Sequence, residues 1–192
     1  RAIKMKFETN LKSIEDIVIE NCEFIVSVYQ RPYVWDDEEI NKLLGDILNT
    51  FNNTNSKSSK YFVGNTYVIK SLKKVHKKRF ELIDGQQRFT TFWLIAIAFK
   101  LLNIKTEITQ YLEINYTNKT KDIRFDFDIR TEVADYLRIL LNNYSYLKFT
   151  DVSEKEFLKF IAKGLETIKH FITSELKPEN RSDFGNYIYK SV

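Results

Sequence analysis

Asp84-Gly85-Gln86-Gln87-Arg88 is the stretch of this chain whose residue types and spacing are best suited to chemistry. A short apolar run, Phe80-Glu81-Leu82-Ile83, precedes it, and a strongly apolar helical pattern from Phe89 to Phe99 follows. A strand that stops at an Asp-Gly turn and restarts as a helix leaves backbone N–H groups unpaired at the helix start, where an anion can sit. Gly85 permits the tight turn, and Arg88 adds a forked, permanently charged donor suited to phosphate. Gln86 and Gln87 add amide donors and acceptors, and Asp84 adds a carboxylate that can hold a metal or cap the helix. The same residues also read as an N-cap, a turn and a solvated charge, and spacing alone leaves both readings open.

A second polar and aromatic segment, Tyr29-Gln30-Arg31-Pro32-Tyr33-Val34-Trp35, follows a short expected strand from Phe24 to Val28. Rings beside a guanidinium can stack on a base while the Arg takes a phosphate. Alternatively, Tyr33 and Trp35 pack in the core and Arg31 pairs with a carboxylate such as Asp46. A third segment is basic: Lys70, Lys73, Lys74, His76, Lys77, Lys78 and Arg79 lie together with no acid among them. Either it is a solvated loop that blocks edge pairing, or Lys73, Lys74, Lys77 and Lys78 track a phosphate backbone.

The elements that must position these residues follow from periodicity. Asp36 and Glu39 have capping-box spacing before Ile40, Leu43, Leu44, Ile47, Leu48 and Phe51, which recur at helical period. Tyr61–Ile69 and Phe80–Ile83 read as strands, and residues 87–102 as a helix apolar on nearly all sides, hence buried. Tyr111–Tyr116 and Ile123–Ile129 read as further strands; in the second, Arg124, Asp126, Asp128 and Arg130 alternate outward as a charge ladder. Helices are expected over Thr131–Leu141 and from a Ser153/Glu156 capping box to Pro178.

Composition bounds the rest. A hydrophobic fraction of 43% and only 5 Gly and 2 Pro describe a folding chain, and 192 residues suit one domain. The net charge of +4 permits a nucleic-acid partner. Cys22 is the lone cysteine, so neither an internal disulfide nor a zinc cluster is expected, and a reducing, cytoplasmic setting is. The apolar run Phe92–Phe99 is far short of the ~20 residues that span a bilayer, so no membrane partner is expected. His170 reads as an ordinary helix residue. Because the chain starts at Arg1, it is expected to be cut from a longer protein.

The segments meet in one pattern. Tyr29 to Trp35, then Leu43-Leu44-Gly45-Asp46-Ile47, then Tyr61-Phe62-Val63-Gly64, then Ile83 to Thr91 resembles the N-terminal domain of GmrSD-type, modification-dependent (type IV) restriction proteins over about Leu11 to Leu141. Val26-Ser27 stand where the family usually carries Ile-Pro, and Phe89 replaces its common Leu. The resemblance implies an α+β fold like that of the ParB and sulfiredoxin superfamily: a small mixed sheet, a central buried helix and further packed helices. Residues 1–150 would form the nucleotide- and DNA-sensing domain, and 151–192 a helical extension of it ahead of a further C-terminal domain.

The resemblance also implies a nucleoside triphosphate, GTP favoured, with Mg²⁺ or another divalent cation, either bound only or bound and hydrolysed. Gly85, Arg88, Thr90 and Thr91 would hold phosphate, with Thr90 and Thr91 equally able to satisfy the helix backbone instead. Asp84 would position metal or water, Gln86 or Gln87 would orient the attacking water, and Arg88 would stabilise charge. Tyr29, Gln30, Arg31, Tyr33 and Trp35 would sense modified DNA, and cleavage would fall to a C-terminal His-Asn-His-type nuclease domain or partner subunit. The alternative is a non-catalytic DNA-recognition module serving that nuclease.

Overall fold

The computed structural model describes residues 8–53, 59–71, 78–116, 120–143 and 156–192. Its organising element is the helix α3, Gln86–Leu101, of which twelve of sixteen residues are buried. A helix with no polar face is stable only when enclosed on every side. The enclosure comes from a sheet, from the 3₁₀ segment Glu107–Leu112 and from α5, Glu156–Ser174, which also packs on α2, Asp37–Asn53. Within α5 and just beyond it, Ile161, Leu165, Ile168, Phe171, Ile172 and Leu176 are buried as their period predicts.

The main sheet has the order β2 (Val68–Lys70), β3 (Arg79–Leu82), β1 (Glu23–Val26), β6 (Phe125–Phe127). β1 runs parallel to both neighbours and β2 antiparallel to β3, giving the mixed α+β architecture expected from the sequence. Phe24, Val26, Leu82, Phe125 and Phe127 join the core, with Phe24 edge-on to Phe89 of α3 at 4.7 Å between centroids. On the opposite face, buried Glu23 pairs with Arg79 at 3.1 Å, and Arg79 also reaches Asp126. β4 (Glu113–Asn115) and β5 (Lys121–Ile123) form a separate antiparallel pair. Short α1 (Ile14–Ile19) and α6 (Arg181–Ser191) were not legible in the apolar period; Ile14 N donates to Val192 O, and Tyr61 N to Ser191 O. α4 spans Thr131–Asn143. Asp36 and Glu39 form the expected cap, with Glu38 N to Asp36 Oδ1 at 2.8 Å and Asp36 N to Glu39 Oε2 at 2.9 Å. Ser153 lies outside the described residues. No helix among the described residues is long and apolar enough to cross a membrane.

Three expectations are corrected. The strand read over Tyr61–Ile69 is confined to Val68–Lys70, because the preceding backbone bonds elsewhere: Val63 O and Asn65 O accept from Arg88, and Tyr67 O from Ile83 N and Asp84 N. Tyr111–Tyr116 begins as 3₁₀ helix, since Trp93 Nε1 takes Leu112 O and Arg124 takes Tyr111 O. The strand read over Ile123–Ile129 is broken at Arg124, which leaves the charge ladder by turning inward, while Asp126 keeps a cross-strand ion pair with Arg79.

Arg124 is 1% exposed, not a solvent-facing rung. Its guanidinium donates to Tyr111 O at 3.0 Å, Cys22 O at 2.6 Å and Glu113 O at 2.6 Å, and lies over the Tyr111 ring. Burial pushes its pKa down, yet the five-donor fork replaces water with fixed carbonyls. One side chain thus ties β1's entry, the 3₁₀ segment and β4 together. R124M leaves four carbonyls, of Tyr111, Cys22, Glu113 and Gln110, without their donor, at about 1–3 kcal/mol for each well-made bond. We expect a loss of about 3 kcal/mol or more in urea unfolding; an unchanged midpoint and slope would remove this role.

At the surface Glu20 sits between Lys12 and Lys78, the latter at 2.9 Å, and these hydrogen bonds hold its carboxyl down at about 2. A depressed carboxyl pKa stabilises the fold above the unfolded value and loses that contribution as pH falls through the folded one. The stability gap between wild type and E20Q should therefore be present at neutral pH, under ~1 kcal/mol for a surface pair, and should vanish between pH 4.5 and about 2. Urea titrations across that window measure it, and a gap that widens on acidification contradicts the assignment.

Candidate functional site

The two motifs, well separated in sequence, line one open cleft of about 170 Å³ formed by Gln30, Arg31, Trp35, Asp84, Gly85, Gln86, Gln87 and Arg88. At its base is the start of α3. Gly85 precedes the helix with φ +97°, and no side chain caps it. The expected Asp84 N-cap is therefore corrected: the left-handed turn leaves Asp84 outside the helix, largely exposed, 3.5 Å from Arg88 Nη2. Uncapped N–H groups and the positive end of the helix dipole remain available to an anion in the cleft.

Backbone-mimicking amides join the motifs. Gln87 Nε2 donates to Pro32 O at 2.9 Å and its Oε1 accepts from Val34 N at 3.0 Å, so both ends of that amide are engaged. Gln30 Nε2 donates to Leu82 O and Ile83 O at 3.2 and 2.9 Å. Arg88 donates to Val63 O at 2.9 Å and Asn65 O at 2.6 Å, tying the 63–65 backbone to the helix start. Gly64 makes that possible: with φ +102°, a Cβ there would stand 2.6 Å from Arg88 Nη1. A Cβ on Gly85 would likewise stand 2.7 Å from Thr66 Oγ1.

The other candidates separate by burial. Arg31 is exposed and forms no ion pair or hydrogen bond among the described residues, so it is a free cation at the cleft; the pairing with Asp46 does not occur. Trp35 lines the cleft beside it. Tyr33 is buried, its hydroxyl 2.9 Å from Thr91 Oγ1, and burial pushes its pKa up. Thr91 also donates to Gln87 O at 2.9 Å, satisfying the helix backbone. Neither Thr90 nor Thr91 lines the cleft. Tyr29 is exposed but gives its hydroxyl to Glu81 Oε1 at 2.7 Å. Lys73, Lys74 and Lys77 lie outside the described residues, and Lys78 pairs with Glu20. Among the described residues no group of three or more His, Cys, Asp or Glu could hold a metal ion. Thr66 had no chemical signal in the sequence, because its part is to fill the space that Gly85 leaves without a Cβ; Gly64, read only as part of the Tyr61–Gly64 pattern, leaves room for Arg88.

Fold and cleft together define a mixed α+β domain that presents an uncapped helix N-terminus between two polar motifs. The chain belongs to the GmrSD restriction endonuclease N-terminal domain family, whose model matches residues 12–192, so it is a module of a restriction or defence protein. No curated protein matches it.

The Gly64–Arg88 contact generates a direct check. G64A places a side chain in a strained backbone region and against the guanidinium, at a cost of about 1–3 kcal/mol. Faster amide hydrogen exchange at residues 61–67 is expected, and exchange identical to wild type would show that Arg88 does not hold this segment.

Proposed function

We propose that this domain binds a nucleoside triphosphate with its phosphates at the N-terminus of α3, and that the bound nucleotide is coupled to DNA sensing by the restriction protein of which it is a module. The observation that carries the reading is the uncapped start of α3 in a cleft that also holds Arg31, a cation with no ion pair among the described residues. Helix N–H groups and a guanidinium are fixed donors for phosphate oxygens. Arg88 contributes positive charge from the side while its hydrogen bonds keep the Gly64 loop in place. Trp35 offers a ring for the base or sugar.

A lone exposed carboxylate fits Mg²⁺ delivered with phosphates, since that ion is commonly held by one or two carboxylates plus the substrate. Asp84 is the residue that would hold it, and the ion would neutralise phosphate charge. A specific observation favours binding without turnover as the second reading. Gln87 has both amide ends committed to backbone, and Arg88 spends two donors on carbonyls, so few groups are left to orient a water. In that case the domain is a recognition module, and a C-terminal nuclease carries out the cleavage of DNA, modified DNA in the family's pattern.

Calorimetric titration of GTP, ATP, CTP and UTP with Mg²⁺ tests the site, followed by phosphate release with and without modified DNA. R31A is the cleaner variant, because R88A would also free the Gly64 loop. Loss of a charged hydrogen bond worth about 1.5–3 kcal/mol lowers affinity about tenfold or more, with the melting temperature unchanged. Absence of binding by wild type, or equal binding by R31A, refutes the assignment. Binding without phosphate release selects the second reading.

A further inference from the structure

Behind the cleft lies a smaller, more enclosed crevice of about 10 Å³, walled by Pro32, Tyr33, Phe127, Val133 and Ile161 and by the polar residues Gln86, Thr90 and Arg130. Gln86 lines both spaces. Two polar atoms of the crevice residues are buried without a hydrogen-bond partner among the described residues: Gln86 Oε1, on a residue 5% exposed, and Thr90 Oγ1, on a residue 1% exposed. They stand one helical turn apart on α3 and therefore share a face. Leaving both unsatisfied conflicts with the general rule that buried polar atoms are hydrogen-bonded.

We infer that this crevice is a binding site for a single ordered water, which bridges Gln86 Oε1 and Thr90 Oγ1 and takes a further hydrogen bond from Arg130. The volume is that of about one water, and a buried water requires two to four polar partners, which these side chains supply. Tyr33 does not compete for the place, because its hydroxyl is already paired with Thr91.

The consequence reaches the cleft. An amide whose oxygen is held in the crevice presents its NH₂ on the other side. Gln86 then adds a donor to the helix N–H groups, Arg31 and Arg88, so the groups at the floor of the cleft favour ligand oxygens. This second step rests on the nucleotide reading, whereas the water site does not.

T90V removes the hydroxyl with little change of shape, and the sign of its effect on unliganded protein is decisive. If the water is bound, T90V takes away one of its partners and lowers the melting temperature, by about 2–4 °C for each kcal/mol lost at this chain length. If the crevice is dry, T90V replaces an unsatisfied buried hydroxyl by a methyl group, and the melting temperature rises. High-resolution crystal structures of wild type and T90S should show a water within hydrogen-bond distance of residues 86 and 90, and that of T90V should lack it. A rise in melting temperature, or no density in wild type, overturns the site.

Titration with inorganic triphosphate then tests the orientation of Gln86. T90V should bind it several-fold more weakly than wild type and T90S. Equal affinity in all three, with the water confirmed, overturns the orienting role alone, and no binding by wild type marks the failure of the nucleotide reading instead.

Discussion

The structure depends on burying a helix that has no polar side. From Thr90 to Phe99 every residue of α3 is buried, so sheet, 3₁₀ segment and α5 must surround it, and no solvent-facing stripe is left for function. A helix enclosed along its length can meet solvent only at its ends. Its N-terminus is the end that lines a polar cleft, and that end is the one with unpaired donors and positive potential. Burial and the candidate site therefore have a common origin: the apolar sequence that forces α3 inside also places its first turn where a ligand can reach it.

Holding that first turn open requires strict backbone geometry, supplied mostly by side chains that imitate backbone. Gln87 acts as a peptide group toward Pro32 and Val34, and Gln30 does the same toward the end of β3. Arg88 replaces the strand partners that Val63 and Asn65 lack. These interactions are satisfied in a half-buried setting, where a missing partner would cost more than the bond contributes. The conspicuous polar residues thus divide: Gln30, Gln87 and Arg88 build the cleft, while Arg31, Trp35, Asp84 and Gln86 line it with fewer prior commitments.

That division explains how much could be read from the sequence. The burial of α3, the capped amphipathic α2 and the strand that runs into the Asp84 turn were legible because periodicity and turn chemistry are local signals. The Tyr29–Trp35 and Asp84–Arg88 motifs were recognisable as polar clusters, but their pairing through Gln87 is a long-range contact that spacing does not encode. Arg124 misled for the same reason. Alternation marks it as outward-facing, whereas carbonyls of the 3₁₀ segment, of β4 and of Cys22 draw it inside and split the strand in two. The shortened β2 is a further case, since its β-branched and aromatic composition is overridden by the bonds its backbone makes to Arg88 and to the Asp84 turn. Tyr33 and Thr91, read as possible ligand contacts, instead satisfy one another in the core.

The placement of charge narrows what the cleft can accept. Within it, Arg31 and Arg88 are opposed by one carboxylate, Asp84, which stands 3.5 Å from Arg88 and projects into solvent, where water screens it. The positive end of α3 adds to the cationic side and is fixed by the fold, so it costs no reorganisation when an anion arrives. A neutral or cationic ligand would leave the helix-start N–H groups without an acceptor. On the reading proposed above, a phosphate-bearing ligand would meet the helix N–H groups and Arg31, with Asp84 exposed beside Arg88. A helix start flanked by two guanidiniums and one exposed carboxylate distinguishes the cleft from a helix N-terminus that merely faces water.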